Sequence, residues 1–75
     1  IIADAENHLI RRYNPRDGST VTILGTGKRG AHVDPSDPLK TETNRPHGVV
    51  LNRAGDLYVS DSDNHRVLRV RAIAP

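Results

Sequence analysis

Two copies of one short pattern place a carboxylate, an amide and an imidazole at the same spacing in this chain. Residues 1–13 read IIADAENHLIRRY and residues 58–70 read YVSDSDNHRVLRV, so the second copy follows the first by 57 residues. The recurring polar residues are Asp4, Asn7, His8, Asp61, Asn64 and His65. A carboxylate beside an imidazole can do acid–base chemistry or bind a metal. Because a unique active site would not recur in every unit, we interpret these six as structural residues that satisfy backbone groups at a turn.

A second set of candidate residues lies between the two copies and is not repeated. His47 stands in the run RPHG, and His32 lies near Asp34 and Asp37, where we expect it to be solvated. Asp34, Asp37 and Glu42 do not have the spacing of a calcium-binding loop, so calcium is not favoured as a cofactor. The residues we predict to contact a ligand are Lys28, Arg29, His32, Arg45 and His47.

The composition restricts the classes of function. The chain has 75 residues, of which 11 are basic and 9 acidic, for a net charge of +2. This mixed surface, with two Tyr and no Phe or Trp, does not favour nucleic-acid binding, which uses basic faces and stacking rings. Without cysteine there is no disulfide, and small β-rich domains then usually depend on a partner. No apolar run reaches the length of a membrane-spanning helix, and no signal peptide is visible.

The elements that must position these residues are strands. Alternating or continuous apolar runs bounded by turn residues predict strands at 1–4, 8–14, 19–25, 48–52, 56–61 and 66–72. We expect the Asn7 and Asn64 turns to allow left-handed geometry. Residues 26–46 carry no strand signal, and a structureless segment of this length is unusual inside a compact domain. We interpret it as the connection between two repeat units. In the favoured interpretation it is a solvated linker, and in the alternative it is a binding loop that projects from one face.

The segment 46–70, PHGVVLNRAGDLYVSDSDNHRVLRV, resembles an NHL repeat. The family pattern is roughly P-x-G-V-A-V-D, then G-x-L/I-Y-V-A-D, then N-H-R-I/V. The matching residues are Pro46, Gly48, Val49, Gly55, Leu57, Tyr58, Val59, Asp61, Asn64, His65, Arg66 and Val67. Residues 1–25 resemble the latter part of a preceding repeat. Asn52 stands where Asp is common, and Leu9 replaces the Arg of N-H-R in the first copy.

This resemblance implies an all-β fold made of four-stranded antiparallel blades of a β-propeller, with six blades expected. The chain then comprises a partial blade at 1–25 (strands b, c and d), an interblade loop at 26–45, and a second partial blade at 46–75 (strands a, b and c). Incomplete blades leave sheet edges open. We therefore expect the chain to be part of a larger assembly, with the remaining blades of a longer parent chain or other copies of itself as partners.

Three functions are compatible with the resemblance. The favoured one is a non-enzymatic binding or scaffold segment that acts through its loops and the channel entrance, with a protein or small ligand as partner. In the first alternative, the chain is part of a metal-dependent enzyme resembling the peptidyl-hydroxyglycine α-amidating lyases, in which Pro-His motifs at this position supply zinc ligands; His47 would be that ligand. In the second alternative, it belongs to an RNA-binding NHL propeller.

Overall fold

The computed structural model describes residues 1–71, which form two three-stranded antiparallel sheets. The strands are β1 (Ile2–Asp4), β2 (Leu9–Tyr13), β3 (Thr20–Leu24), β4 (Gly48–Leu51), β5 (Leu57–Asp61) and β6 (Arg66–Val70). The strand order is β1-β2-β3 in the first sheet and β4-β5-β6 in the second. The all-β prediction is confirmed, and the strand bounds agree with the predicted ones within two residues. The exception is the predicted end at residue 72, which lies outside the described residues.

Tight turns join the strands within each sheet. Gly18 has φ +74° in the β2–β3 turn, where the Asn14 N–H donates to Ser19 O at 2.8 Å. Gly55 has φ +87° in the β4–β5 turn. A single 3₁₀ turn connects β1 to β2 (Ala5–Asn7), and another connects β5 to β6 (Ser62–Asn64). These turns close the antiparallel ladders over short distances, as the sequence predicted.

The left-handed residue in each 3₁₀ hairpin is a histidine. His8 has φ 57° and His65 has φ 54°, and each donates its backbone N–H to the residue three positions earlier at 3.2 Å. The Asn7 and Asn64 turns thus contain the left-handed geometry that the sequence analysis allowed for them, and the histidine is the residue that adopts it. The asparagines are the last helical residues, and the positive φ occurs one residue later, where the chain must turn back into a strand.

The core lies between the two sheets. Ile10 and Leu24 from the first sheet meet Leu57, Val59 and Val70 from the second, and all five are buried. In β5 the buried residues alternate with more exposed ones, which is the period of a strand with one face on a core. Each fully buried aliphatic side chain contributes about 1.5–3 kcal/mol of transfer free energy. This small core therefore fixes how the two sheets face each other.

The segment between the sheets is exposed over most of residues 26–40 and buried at its end. Thr41 and Thr43 are 4% and 0% exposed, and Pro46 is also fully buried. A 3₁₀ turn at Pro38–Lys40 is capped by the Asp37 carboxylate, which accepts from the Leu39 N–H at 2.9 Å. Residues 41–46 are therefore packed between the sheets rather than solvated, and the choice between a linker and a binding loop stays a prediction. Within residues 1–71 no helix is long and apolar enough to cross a membrane.

Candidate functional site

The centre of the repeated pattern in the second sheet is a buried carboxylate. Asp61 is 0% exposed. It accepts from the Asn44 backbone N–H at 2.7 Å, from Asn64 Nδ2 at 2.9 Å and from Arg66 Nε at 2.7 Å. A carboxylate out of water is tolerated only when paired and hydrogen-bonded in this way. Its oxygens are thus occupied by the protein itself, and solvent or substrate does not reach them.

The same network extends from the β5–β6 hairpin onto the segment between the sheets. Arg66 donates from Nη1 to Ala31 O at 2.9 Å and from Nη2 to Glu42 O at 3.0 Å. Asn64 Nδ2 also donates to Gly30 O at 2.7 Å. The Arg66 guanidinium and the Asn64 amide thus donate to carbonyls at residues 30–31 and at residue 42. These hydrogen bonds hold both parts of the segment against the hairpin. We call residues 26–46 the crossing segment, and we call Asp61, Asn64 and Arg66 the clamp because their side chains hold that segment against the hairpin.

Sequence reasoning named Arg66 as a match to the family pattern but did not group it with Asp61 and Asn64. A signal was present: Asp61 and Arg66 flank the hairpin turn and are direct cross-strand partners. Opposite charges in that position attract each other across the strand pair. The arginine of the N-H-R run therefore belongs to the same site as the repeated aspartate.

The first copy of the pattern makes a different set of contacts. Asp4 accepts from Asn7 Nδ2 at 3.0 Å and lies 3.7 Å from Arg11 Nη1. Its side chain is 25% exposed, and Leu9 occupies the position equivalent to Arg66. The first copy therefore has no guanidinium with which to bind neighbouring carbonyls in the manner of the second.

The first hairpin instead accepts hydrogen bonds from the residues that lead into the second sheet. His8 O accepts from Thr43 Oγ1 at 2.8 Å, and His8 Nδ1 accepts from the Arg45 backbone N–H at 3.1 Å. Glu6 Oε1 accepts from Arg45 Nη1 at 2.8 Å. Arg45 itself has φ 51°, an uncommon backbone region for a residue with a side chain. These three contacts connect residues 35 to 39 positions apart and join the two sheets at their polar end.

The predicted binding residues lie on two adjoining stretches. Arg29 forms a parallel bridge with Thr43, and the Glu42 N–H donates to His32 O at 2.8 Å. This places residues 29–32 beside residues 42 and 43, from which the chain continues to Arg45 and His47. The ligand contacts of the predicted set stay a prediction. The members with exposed side chains are Lys28, Arg29, His32 and His47, while Arg45 is half-buried and ion-paired with Glu6.

Close backbone approach brings these stretches together at Gly30. A methyl group added at Gly30 would collide with the Glu42 carboxylate. The His32 N–H in turn donates to Glu42 Oε1 at 3.2 Å. The carboxylate therefore sits among the exposed cations and gives this surface mixed charge.

His47 is exposed at the start of β4, where its backbone N–H donates to Ser60 O at 3.2 Å. In residues 1–71, no three side chains from His, Cys, Asp or Glu come close enough to hold a metal ion. A zinc site at His47 would need its other ligands from outside this part of the chain. The residues present do not fit a zinc centre by themselves, and the metal role of His47 stays a prediction.

A crevice that the sequence did not reveal opens between β3, the crossing segment and β6. It encloses about 360 Å³ and is lined mainly by apolar side chains, among them Leu24, Val33, Pro38, Leu68 and Val70. Asp34 lies on its rim, where hydrogen bonds from Ser36 (Oγ at 2.7 Å and N–H at 2.9 Å) hold the pKa of the Asp34 carboxyl below its ordinary value. The crevice also borders residue 71, the last one described.

Comparison with known proteins agrees with this architecture. The NHL repeat family matches residues 43–69. NHL repeat-containing protein 2 of Homo sapiens is 33% identical over 67 residues, which is 88% of this chain and 9% of that protein. The protein of the same name from Gallus gallus has the same identity and coverage. Protein SUPPRESSOR OF QUENCHING 1, chloroplastic, of Arabidopsis thaliana is 30% identical over 63 residues, which is 84% of this chain and 6% of that protein. The chain thus spans less than a tenth of the length of these curated relatives.

Proposed function

We propose that this chain, which is an NHL-repeat segment of a β-propeller, is a non-enzymatic scaffold whose ordered crossing segment binds an acidic stretch of a partner protein. The fold alone supports many functions, so the proposal rests on the surface that the crossing segment presents. The remaining blades of the propeller, in the same chain or in other copies, are its structural partners in this proposal.

The observation that carries the proposal is that one side of the crossing segment is hydrogen-bonded to the second hairpin while the other side is exposed. Its inner side is held by Asp61, Asn64 and Arg66 through four hydrogen bonds to its backbone, and two more join these side chains to one another. Its outer side presents the exposed side chains of Lys28, Arg29 and His32, with exposed His47 on the adjoining stretch. A rigidly held loop with exposed side chains loses little conformational entropy on binding, which favours recognition.

Charge decides the class of ligand. Lys28 and Arg29 are exposed cations, whereas the guanidinium of Arg45 is already paired with Glu6. Two exposed cations, with an exposed imidazole three residues after Arg29, suit a short acidic peptide segment. The interleaved Glu42 carboxylate and the scarcity of aromatic rings do not suit a run of nucleotides. The zinc-lyase and RNA-binding alternatives stay predictions.

The proposal can be tested by titrating the ¹⁵N-labelled chain with three probes: a ten-residue oligoglutamate peptide, a single-stranded oligoribonucleotide and zinc chloride. We expect the peptide to shift the amide resonances of residues 28–32 and 47, and to do so less as salt is raised. The matched control is K28S/R29S, which removes both cations without touching the clamp. Peptide-induced shifts that survive in K28S/R29S, or that fall elsewhere, would contradict the proposal.

The other two probes test the alternatives in the same experiment. Binding of the oligoribonucleotide, with affinity falling steeply between low and physiological salt, would favour the RNA-binding alternative. Stoichiometric zinc binding that is lost in H47A would favour the metal-dependent one. Either result in the absence of peptide binding replaces the proposal.

A further inference from the structure

The crevice between β3, the crossing segment and β6 has the size and the lining of a site for one large apolar side chain. It encloses about 360 Å³, which is at the lower end of the range for small-ligand pockets. Its apolar lining comes from three separate parts of the chain and consists of Leu24, Val33, Pro35, Pro38, Leu68 and Val70. Such a recess gains free energy when an apolar side chain removes its surface from water.

The polar groups on the wall of the crevice already have partners within the chain. Thr41 Oγ1 accepts from the Asp34 backbone N–H at 3.0 Å and donates to Asp34 O at 3.1 Å. The Asp34 carboxylate accepts from the Ser36 hydroxyl and from the Ser36 N–H. A polar ligand group buried without a partner costs free energy. The crevice therefore suits an apolar group better than a sugar or another polyhydroxyl group.

The crevice adjoins the exposed cations of the proposed binding surface. Val33 lines the crevice and directly follows His32, and Lys28 lies five positions before Val33. Because a chain extends by at most about 3.6 Å per residue, the backbones of Lys28 and Val33 are at most about 18 Å apart. An extended peptide of ten residues spans about 33 Å, so one peptide reaches both the cations and the crevice.

We infer that the crevice binds one large apolar side chain of the acidic partner segment, so that the ligand is an acidic peptide with a single aromatic or aliphatic anchor. This inference deepens the proposed function and rests on it, because the acidic residues beside the anchor contact Lys28 and Arg29. The charged residues that line the crevice favour such a ligand, since two are arginines and one is an aspartate: Arg69, Arg71 and Asp34. An apolar anchor in a pocket, surrounded by polar contacts, supplies much of the affinity of many protein interfaces.

A second copy of this chain is a poor match for the same site. Three of the large apolar residues exposed on the chain stand directly beside a base, in the pairs Arg12–Tyr13, Leu39–Lys40 and Arg66–Val67. Inserting any of these would bring a cation to a surface that already presents Lys28 and Arg29. The occupant that fits the charge is therefore an acidic segment of a different protein.

The test compares two ten-residue peptides on the full chain, oligoglutamate and the same peptide with tryptophan at its fifth position. Amide NMR titration gives both affinities. We expect the tryptophan peptide to bind about tenfold more tightly, a factor that partial burial of one large apolar side chain supplies. The chain contains no tryptophan, so the fluorescence of the peptide reports its own burial and should shift to shorter wavelength.

Two substitutions on the crossing segment locate the anchor. V33S removes an apolar residue from the crevice wall and should reduce the tenfold preference to about threefold or less. The matched control is L39S, which removes an apolar side chain of similar exposure, 51% against 44%, that does not line the crevice. L39S should keep the full preference, and circular dichroism checks that both variants fold.

A measurement without substitution covers the case in which V33S fails to fold. The tryptophan peptide should shift the methyl resonances of Val33, Leu68 and Val70 in the unsubstituted chain, and leave those of the exposed Val50 and Val67 unchanged. Equal affinities of the two peptides, a preference that survives in V33S, or methyl shifts confined to Val50 and Val67 would overturn the inference.

Two other occupants give distinct results in the absence of peptide. Val33 methyl shifts that appear as the chain concentration is raised would show that a second copy fills the crevice. Nuclear Overhauser contacts from residues 72–75 to the Val33 methyl groups would show that the end of the chain fills it. Either result overturns the inference.

The same titrations separate this inference from the proposed function. K28S/R29S should weaken both peptides and leave the ratio of their affinities unchanged. Oligoglutamate binding with a ratio near one would refute the anchor and leave the proposed function standing. Binding of the tryptophan peptide alone, lost in V33S, would support the crevice and refute the role of the cations. If neither peptide binds, both proposals fail.

Discussion

Replacing Asp61 by alanine should be far more costly than replacing its repeat counterpart Asp4. The substitution removes the acceptor of three hydrogen bonds and leaves the Arg66 guanidinium and the Asn44 N–H without their partner. Breaking a buried charge pair from one side costs about 3–5 kcal/mol. Because Arg66 keeps two loop carbonyls and its side chain is 25% exposed, we expect about 3 kcal/mol.

Asp4 provides an internal control, since it occupies the same place in the repeat. It accepts one hydrogen bond and makes one long ion pair, with its side chain 25% exposed. Loss of such contacts costs about 0.5–1 kcal/mol. The predicted difference between D61A and D4A is therefore about 2 kcal/mol, a large share of the roughly 4–11 kcal/mol of unfolding free energy typical of a chain of this size.

The assay is urea denaturation of both variants followed by far-ultraviolet circular dichroism, with equal slopes required for the comparison. If D61A does not fold, D61N preserves the side-chain volume and one carbonyl oxygen, and should lie between D61A and the unsubstituted chain. Most surface substitutions change the unfolding free energy by less than about 0.5 kcal/mol. Unfolding free energies of D61A and D4A that agree within that range would refute the stabilising role assigned to Asp61.

Three further predictions concern the joint between the sheets and the crossing segment. H8A should lower the unfolding free energy by about 0.5–1.5 kcal/mol because the Arg45 N–H loses its acceptor, whereas H65A, at an exposed side chain, should stay within about 0.5 kcal/mol; urea denaturation measures both. Gly25→Ala should destabilise by more than about 1 kcal/mol in the same assay, because φ is +107° and the added methyl meets His8 O. S36A should raise the pKa of Asp34 in a carboxyl NMR titration, since the hydrogen bond from Ser36 Oγ, the largest cause of the lowering, is lost while the bond from the backbone N–H of residue 36 remains. Because the pKa of Asp34 is lowered on folding, the stabilisation is present above the unfolded-state value and is lost as pH falls through the folded one. An Asp34 titration unchanged in S36A, or a Gly25→Ala variant as stable as its parent, would contradict these contacts.

Much of the architecture was predictable because strands and turns are local. The alternation in β3 and the glycines at 18 and 55 mark strand and turn within a few residues of sequence. The N-H-R run and its partial repeat indicated blade geometry before any contact was known. Left-handed geometry was expected in the Asn7 and Asn64 turns without a choice of residue, because either Asn or His accepts that geometry and only the closure of the 3₁₀ turn selects between them.

The candidate site was less predictable, since its contacts cross the chain. The sequence marked Asp61 and Asn64 as a repeated pair but did not show that Arg66 completes the cluster. It also suggested a solvated linker where Thr43 is fully buried. A hydroxyl residue in a polar, proline-containing stretch has no local signal of burial, because its burial depends on the distant His8 carbonyl that accepts its hydrogen bond.

The sequence by itself determined the repeat, the strands and the turns, because these depend on neighbours within about ten residues. Only the tertiary structure decided what the repeated residues do. Asp4 and Asp61, or Ile10 and Val67, are equivalent in sequence and unlike in burial, since one member of each pair meets partners that the other lacks within the described residues. The hydrogen bonds that create this difference join residues 17 to 39 positions apart, and a separation of that kind is set by how two sheets face each other.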